Sequence, residues 1–290
     1  MKISEILAQA KDQLEKSGVS NSKLDSLILL THALLVSKEH VIFNPDLELN
    51  QDQKKSFLSL VERRSAREPI AHIIGKREFY GRDFFVTKDV LDPRPDSESL
   101  IELVLKKFPK KNQKIRILEI GSGSGCLVIT LLKELPIAQA IALDLSEKAL
   151  KICQKNADFQ EVQDRLQLIK SDVFSALKEN EKFDLIISNP PYISSKEIEE
   201  LHPEVKIYEP RMALDGGFDG LDFYRQIANQ SQNFLAENAK IILEIGFGQR
   251  ADVEKIFNKE NYFLEEVKQD LAGVERALCF QISSKNINEK

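Results

Sequence analysis

The chain has 290 residues, of which 42% are apolar and 30% charged, with 41 Lys and Arg against 46 Asp and Glu. This length allows one large domain or two ordinary ones, and the balanced composition excludes disordered and fibrous classes. No run approaches the roughly 18 consecutive apolar residues of a transmembrane helix, and charges from Lys2 to Lys16 interrupt any signal-peptide core. We therefore expect a soluble cytoplasmic protein without a membrane partner.

The cysteines, histidines and net charge exclude further classes. Cys126, Cys153 and Cys279 are odd in number and widely spaced, which is typical of free thiols in a reducing compartment. The four histidines have no ligand spacing, so we expect no metal site. The net charge of −5 argues against a direct nucleic-acid partner, because such binding depends on clustered Lys and Arg.

Residues 1–75 have the apolar periodicity of a small helical bundle. The pattern predicts a helix over 3–17 that ends at Gly18, a second helix capped by Asn21 or Ser22, and a third capped by Asn50. Three arginines lie near the end of the third helix: Arg63, Arg64 and Arg67. We favour an interaction with the helix C-terminal dipole over a docking patch for them.

The pattern changes at about residue 76. Alternation around Gly81 predicts a β-hairpin linker over 76–95, and short apolar runs then alternate with helical segments over 96–290. Such runs predict buried parallel strands joined by right-handed crossovers. The predicted parallel strands are 115–120, 140–144, 166–169, 183–188 and 241–245, and the predicted helices are 126–135, 146–158, 221–237 and 249–259. Residues 262–267 and 276–282 could form an antiparallel edge, which makes a seven-stranded α/β Rossmann-like sheet.

A glycine-rich loop follows the first of these strands and opens a helix. It comprises Gly121, Ser122, Gly123, Ser124 and Gly125. Asp144 lies 23 residues after Gly121, at the end of the next strand, where a carboxylate can accept hydrogen bonds from ribose hydroxyls. Cys126 stands where the NAD fingerprint requires Gly or Ala. The loop instead resembles the first motif of Rossmann-like S-adenosylmethionine-dependent methyltransferases.

That resemblance implies roles for three more residues. Glu119 occupies the acidic position before the loop and would orient the loop or the methionine part of the cofactor, unless it only caps the following helix. Asp172 and Val173 match the adenine-contacting segment, although Asp172 could also be a solvent-facing residue at a strand end. The implied cofactor is S-adenosyl-L-methionine, and the implied product is S-adenosyl-L-homocysteine.

Asn189, Pro190, Pro191 and Tyr192 follow the fourth strand at its carboxyl end, where open α/β sheets bind ligands. The two prolines make this backbone stiff and extended. The Asn189 side-chain oxygen and the Pro190 carbonyl could grip both N–H bonds of a planar NH2 group, while Tyr192 stacks on it. Fixed dipoles would then meet the positive charge that develops on nitrogen. In isolation the same residues could form a simple turn.

Together these motifs resemble the release-factor glutamine methyltransferase family over nearly the whole chain. Further matching segments are 78–81, 93–98, 209–221 and 271–273. Asp92, Ser97 and Glu275 depart from the commonest family pattern, in which a large aliphatic residue, Thr and Asp are usual. The resemblance implies methylation of the Gln side chain in the Gly-Gly-Gln loop of peptide chain release factors. It also implies that residues 1–75 bind this protein substrate and that residues 96–290 are catalytic, and we expect a monomer.

Three alternatives remain at this point. An adenine-N6 methyltransferase would present the same NH2 geometry to Asn189 but should carry a basic surface. A ribosomal-protein glutamine methyltransferase is closer, and the N-terminal bundle argues for release factors instead. A protein that only binds the cofactor would not need the residues Asn189 to Tyr192.

Overall fold

The computed structural model describes residues 1–283, which form two compact units. Met1–Lys76 and His202–Tyr208 make up the N-terminal unit, and the rest of the described chain makes up the sheet unit. The helices are α1 (Ile3–Lys16), α2 (Ser22–Leu34), α3 (Lys38–Phe43), α4 (Gln51–Ser65), α5 (Ile70–Ile74), α6 (Glu98–Lys107), α7 (Cys126–Glu134), α8 (Glu147–Phe159), α9 (Pro203–Tyr208), α10 (Asp222–Gln230) and α11 (Arg250–Lys259). The strands are β1 (Lys76–Phe79), β2 (Arg82–Phe85), β3 (Arg116–Ile120), β4 (Gln139–Asp144), β5 (Leu166–Lys170), β6 (Phe183–Ser188), β7 (Leu235–Glu244), β8 (Tyr262–Gln269) and β9 (Glu275–Ile282). No helix within this part of the chain is long and apolar enough to cross a membrane.

The N-terminal unit is a helical bundle around its own apolar core. The three predicted helices are present as α1, α2 and α4; Gly18 has the positive φ of a helix end, and Asn50 Oδ1 accepts a hydrogen bond from Gln53 N at 2.9 Å. The short helices α3 and α5 are additional. They have six and five residues, too few for a periodic pattern to show.

The three arginines at the end of α4 have partners inside the N-terminal unit. Arg64 is buried, and its Nε lies 2.7 Å from Asp25 Oδ2. Arg67 binds both carboxylate oxygens of Glu204 in α9 at 2.8 and 2.6 Å, and Arg63 binds Glu68. The contacts of Arg64 and Arg67 join α2, α4 and α9, whereas Arg63 stays exposed beside Glu68.

The sheet unit is built on the predicted seven-stranded sheet. Its strand order is β5-β4-β3-β6-β7-β9-β8, with β5, β4, β3, β6 and β7 parallel and β9 antiparallel to both neighbours. The strand order reverses between β3 and β6, which is the place where open α/β sheets bind ligands. The predicted α/β Rossmann-like fold and the antiparallel edge are therefore confirmed, and β1 and β2 form the predicted hairpin.

The largest errors in the predicted element boundaries lie between 221 and 241. The predicted helix over 221–237 ends at Gln230, and β7 begins at Leu235 instead of 241. The first half of β7 carries a register irregularity opposite Phe183–Leu185, and Asn238 has a positive φ of 60°. Pairing with β6 therefore outweighs the local helical pattern of this segment.

Candidate active site

A cavity opens at the carboxyl ends of β3, β4 and β6, and the predicted site residues meet there. Its volume is about 1180 Å³ including the space open to solvent, enough for a nucleotide-sized ligand. Its walls contain Glu119, Gly121, Ser122, Gly123, Ser124, Asp144, Asp172, Val173, Asn189, Pro190 and Pro191. Two predicted residues, Gly125 and Tyr192, are not part of this wall.

Asp144 fixes the glycine loop through its carboxylate. Its Oδ2 accepts a hydrogen bond from Gly123 N and its Oδ1 accepts one from Ser146 N, both at 2.8 Å. Burial raises the pKa of Asp144, and these two backbone bonds oppose the rise. Because each carboxylate oxygen has a second lone pair, Asp144 can still accept from a bound ligand.

Gly125 is the N-cap residue just before α7 and contacts the core. Its φ is 79°, and a Cβ there would lie 2.8 Å from Ile129 Cδ1 and 2.5 Å from Cys153 Sγ. Any side chain would therefore collide with α7 and α8. Gly125 thus shapes the loop from behind.

Glu119 is a buried carboxyl group at the end of β3, with 1% of its surface exposed. Burial raises its pKa well above the usual range, and the nearby Asp144 adds to the rise. Among residues 1–283, its Oε2 has no hydrogen-bond partner. A buried acceptor without a partner is costly, so this wall of the cavity suits a ligand that carries a cationic or N–H group.

Asp172 and Val173 lie just beyond β5, with Asp172 exposed and Val173 buried. Val173 has a φ of 46°, which is unusual for a β-branched residue, and its carbonyl accepts from the Ser171 hydroxyl at 2.9 Å. The turn presents a charged and an apolar side chain to the same cavity. The charged side chain suits the polar edge of a heterocyclic ring, and the apolar side chain suits its face.

Asn189 is the first residue after β6, and its position is fixed from both sides. The Ser188 hydroxyl donates to the Ile120 carbonyl at 2.7 Å and ties the end of β6 to the end of β3. The Asn189 Nδ2 donates to Ser97 Oγ at 3.1 Å. Ser97 belongs to the turn Pro95–Ser97 and is 2% exposed.

A buried carboxyl group lies behind Ser97. Its hydroxyl donates to Glu244 Oε2 at 2.5 Å, and the Tyr192 hydroxyl lies 3.4 Å from Glu244 Oε1. Glu244 is 1% exposed at the end of β7. Burial raises its pKa to about 7, while the bonds from Ser97 and Tyr192 and the charge of Arg276 oppose the rise. Tyr192 therefore turns its hydroxyl toward Glu244 and packs against the core.

Two loops that line the cavity are joined by an ion pair. Arg94 Nη2 lies 2.7 Å from both carboxylate oxygens of Glu209, which is buried. Asp92, the residue that departs from the family pattern, is buried beside them and binds Arg77. A charged residue at position 92 is thus compensated within the sheet unit.

The segment 209–221 packs against the backbone of 189–192. Ile193 N donates to the Leu214 carbonyl at 3.0 Å, and Gln249 Nε2 donates to the Tyr192 carbonyl at 2.9 Å. Gly220 has a φ of 76°, and a Cβ there would collide with the Tyr192 carbonyl. The glycines of this motif therefore permit close backbone packing behind the cavity.

Ser97, Glu244 and Glu209 were not among the predicted site residues. Ser97 stood out only as a departure from the family pattern. Glu244 belongs to 243–246, which repeats the Leu-Glu-Ile-Gly of 118–121, and an acidic residue at the end of a buried strand was the available signal. Within residues 1–283, no group of three His, Cys, Asp or Glu is arranged to hold a metal ion.

Family models match both parts of the chain. Residues 5–75 match the PrmC N-terminal domain, and residues 94–211 match the Methyltransferase small domain. The N-terminal domain of human METTL16 in complex with SAH has a similar fold, with a TM-score of 0.51 and 17% identity over 82% of this chain and 86% of that chain.

Two curated relatives match over most of the chain. A bifunctional methyltransferase of Rickettsia felis is 40% identical over 96% of this chain, which spans only 58% of that protein. The release factor glutamine methyltransferase of Agrobacterium fabrum is 37% identical, and the match covers 96% of this chain and 97% of that one. The chain belongs to the release factor glutamine methyltransferase family.

Proposed function

We propose that the chain transfers a methyl group from S-adenosyl-L-methionine to N5 of the Gln side chain in the Gly-Gly-Gln motif of peptide chain release factors. The observation that carries this proposal is the position of Asn189 and Pro190, in the wall of the same cavity as Glu119 and the glycine loop. The family supports the identity of the protein substrate, because a relative that this chain covers over 97% of its length is named release factor glutamine methyltransferase.

The cavity wall fits the proposed cofactor. The unpaired Oε2 of Glu119 would accept a hydrogen bond from an amino group, and the carboxylate of Asp144 has lone pairs for ribose hydroxyls. The proposed contacts are with Glu119, Gly121, Ser122, Gly123, Ser124, Asp144, Asp172, Val173 and Asn189, while Gly125 acts through the start of α7. When bound, S-adenosyl-L-methionine supplies a methyl group on a positively charged sulfur atom.

Asn189 and Pro190 would hold the acceptor amide. The Asn189 Nδ2 donates a hydrogen bond to Ser97 Oγ, so Asn189 Oδ1 is left to accept a hydrogen bond from the substrate. Asn189 Oδ1 would accept from one N–H of the substrate amide, and the Pro190 carbonyl would accept from the other. An amide nitrogen is a poor nucleophile because its lone pair is delocalised. Holding both hydrogens orients this lone pair, and the two carbonyl dipoles favour the positive charge that develops on nitrogen. Stacking of Tyr192 on the substrate stays a prediction.

The remaining parts of the chain have separate roles in this proposal. Residues 1–75 bind the release factor, residues 76–95 link the two parts, and residues 96–290 bind the cofactor and position the amide. The acceptor is protein, and neither nucleic acid nor membrane takes part. The enzyme acts as a monomer in the cytoplasm, where release factors function.

The test is methyl transfer from tritiated S-adenosylmethionine to defined acceptors. The purified chain is incubated separately with full-length release factors, with their Gly-Gly-Gln→Gly-Gly-Ala variants, with ribosomal proteins and with adenine-containing DNA and RNA. We expect label only in the intact release factors. Label in the Gly-Gly-Ala variants, in a ribosomal protein or in nucleic acid would contradict the proposed substrate.

A further inference from the structure

We propose that Glu244 is a positioning residue, which acts through the Ser97 hydroxyl to hold the Asn189 side-chain amide with its Oδ1 free for the substrate. The inference rests on the proposed function and names the residues that orient its central side chain. The three side chains come from different elements: Glu244 ends β7, Ser97 precedes α6, and Asn189 follows β6.

The direction of the hydrogen bonds follows from counting hydrogens. An ionised carboxylate only accepts, whereas a serine hydroxyl has one hydrogen to donate and lone pairs to accept. The Ser97 hydrogen goes to Glu244 Oε2 at 2.5 Å. Ser97 Oγ can then only accept from Asn189, at 3.1 Å, so the NH2 end of the amide must face Ser97.

The opposite orientation of Asn189 would prevent the proposed chemistry. If Ser97 gave its hydrogen to Asn189, the carbonyl end would face Ser97 and the NH2 end would face the substrate. Two NH2 groups would then oppose each other, and no acceptor would meet the substrate N–H. A side-chain amide has nearly the same shape in both orientations, so its hydrogen-bond partners decide between them.

Burial keeps water from replacing the hydrogen bonds between Glu244, Ser97 and Asn189. Glu244 and Ser97 are 1% and 2% exposed, so water does not substitute for either partner. The Tyr192 hydroxyl also points at Glu244, at 3.4 Å from Oε1, and therefore favours the carboxylate form. A fully satisfied buried network of this kind holds its members in one geometry.

Protonation of Glu244 would mean that the hydrogen bonds of Ser97 no longer have one fixed direction. The protonated acid could donate to Ser97, whose hydrogen would become available to Asn189. The pKa of Glu244, raised to about 7 by burial, places this change in an accessible range. The titratable and charged groups around Glu244 are Asp96, Cys126, Tyr192, Tyr224 and Arg276. Among them Arg276 favours the charged form, whereas Asp96 disfavours it.

The first arm of the test monitors the side-chain amide of Asn189 in the absence of methyl transfer. The side-chain NH2 signals of Asn189 are identified in a proton–nitrogen correlation spectrum by their loss in Asn189→Ala. In the native chain we expect these signals to shift with pH between 5.5 and 8.5, the range around the Glu244 pKa of about 7. In Glu244→Gln the shift should disappear, while Glu237→Gln, an exposed change on the same strand, should keep it. Signals that do not move in the native chain, or that still move in Glu244→Gln, would overturn the inference.

The second arm measures methylation of a release factor. Glu244→Gln and Ser97→Ala should each lower kcat at least tenfold, with KM and the Kd for S-adenosylhomocysteine changed less than threefold. Ser97→Thr, which keeps the hydroxyl, should recover most of the kcat that Ser97→Ala loses. If both variants keep kcat within twofold of native, the inference fails and the proposed function stands. If the native chain labels no release factor, the proposed function fails, and the spectra still decide the positioning role.

Discussion

The guanidinium group of Arg94 binds the buried carboxylate of Glu209, with Nη2 2.7 Å from both Oε1 and Oε2. The two residues lie in separate loops, and Pro93 and Pro210 beside them line the cavity together with Arg94. Burial raises the pKa of Glu209 to about 7, and Arg94 opposes this rise. The pair therefore stabilises two walls of the site in one arrangement.

Removing this arginine should destabilise the chain in a pH-dependent way. Arg94→Ala leaves Glu209 as a buried charge without its partner, which costs about 3 kcal/mol of unfolding free energy at pH 8. At pH 5.5 the carboxyl group can take up a proton, so the cost should be clearly smaller. Urea unfolding at both pH values measures the difference, with Arg82→Ala, which breaks the Glu134 pair elsewhere in the unit, as the comparison. An equal loss at pH 5.5 and pH 8 would show that charge burial is not the cause.

Asn189→Ala should separate chemistry from cofactor binding. Loss of Oδ1 removes one of the two proposed acceptors for the substrate amide, and such an acceptor contributes about a hundredfold in kcat or more. Asn189 is only one of the nine proposed cofactor contacts, so we expect the Kd for S-adenosylhomocysteine to change less than threefold in calorimetry. Asn258→Ala, an exposed change in α11, is the matched control and should behave as native. Normal turnover by Asn189→Ala would exclude the proposed grip on the amide.

Asp144→Ala should weaken cofactor binding. The change removes the acceptor for Gly123 N and Ser146 N as well as the carboxylate proposed to bind ribose. Loss of the charge-assisted hydrogen bonds proposed between this carboxylate and the ribose hydroxyls is worth roughly 2 kcal/mol or more of binding free energy, or about thirtyfold in Kd. Asp164→Ala, at an exposed position, serves as the control in the same calorimetry. Unchanged affinity in Asp144→Ala would rule out the ribose contact.

Glu244→Gln should change how stability depends on pH. The folded pKa of Glu244, about 7, lies above its ordinary value of 4.5, so the folded state binds more protons between these values. The stability that this raised pKa contributes is fully present below pH 4.5 and is lost as pH rises through 7. When the pH rises from 5.5 to 8, the free energy of unfolding of the variant should therefore increase by about 2 kcal/mol relative to that of the native chain.

Thermal unfolding across this pH range checks the Glu244 prediction. Glu237→Gln is the control on the same strand, and its stability should follow that of the native chain at every pH. Parallel stability curves for Glu244→Gln and the native chain would mean that Glu244 does not titrate on folding in this range.

The sequence allowed the sheet, the glycine loop and the position of Asn189 to be predicted, because each depends on local pattern and chain order. The apolar runs that became β3 and β6 fix the edge at which Glu119 and Asn189 meet. The start of β7 was missed because the pairing of Leu235 with Phe183 on β6 outweighs a local helical pattern. Such tertiary pairing has no signal in a short window of residues.

The partners of Asn189 could not be predicted for a different reason. Ser97 and Glu244 are separated by 147 positions and meet only because the turn before α6 lies against the end of β7. Neither residue type is distinctive, and a buried carboxyl group becomes informative only when its neighbours are known. The roles of Gly125 and Tyr192 likewise depended on which way each faces, and that is decided by packing against Cys153 and Glu244.

The proposed function requires that the chain methylates one amide nitrogen of its protein substrate. The most direct measurement is tandem mass spectrometry of a release factor after incubation with the purified chain and S-adenosylmethionine, with Asn189→Ala in parallel. We predict a single added methyl group, located on the Gln of Gly-Gly-Gln, and no such peptide with the variant. A methyl group on any other residue, or an equal yield from Asn189→Ala, would contradict it.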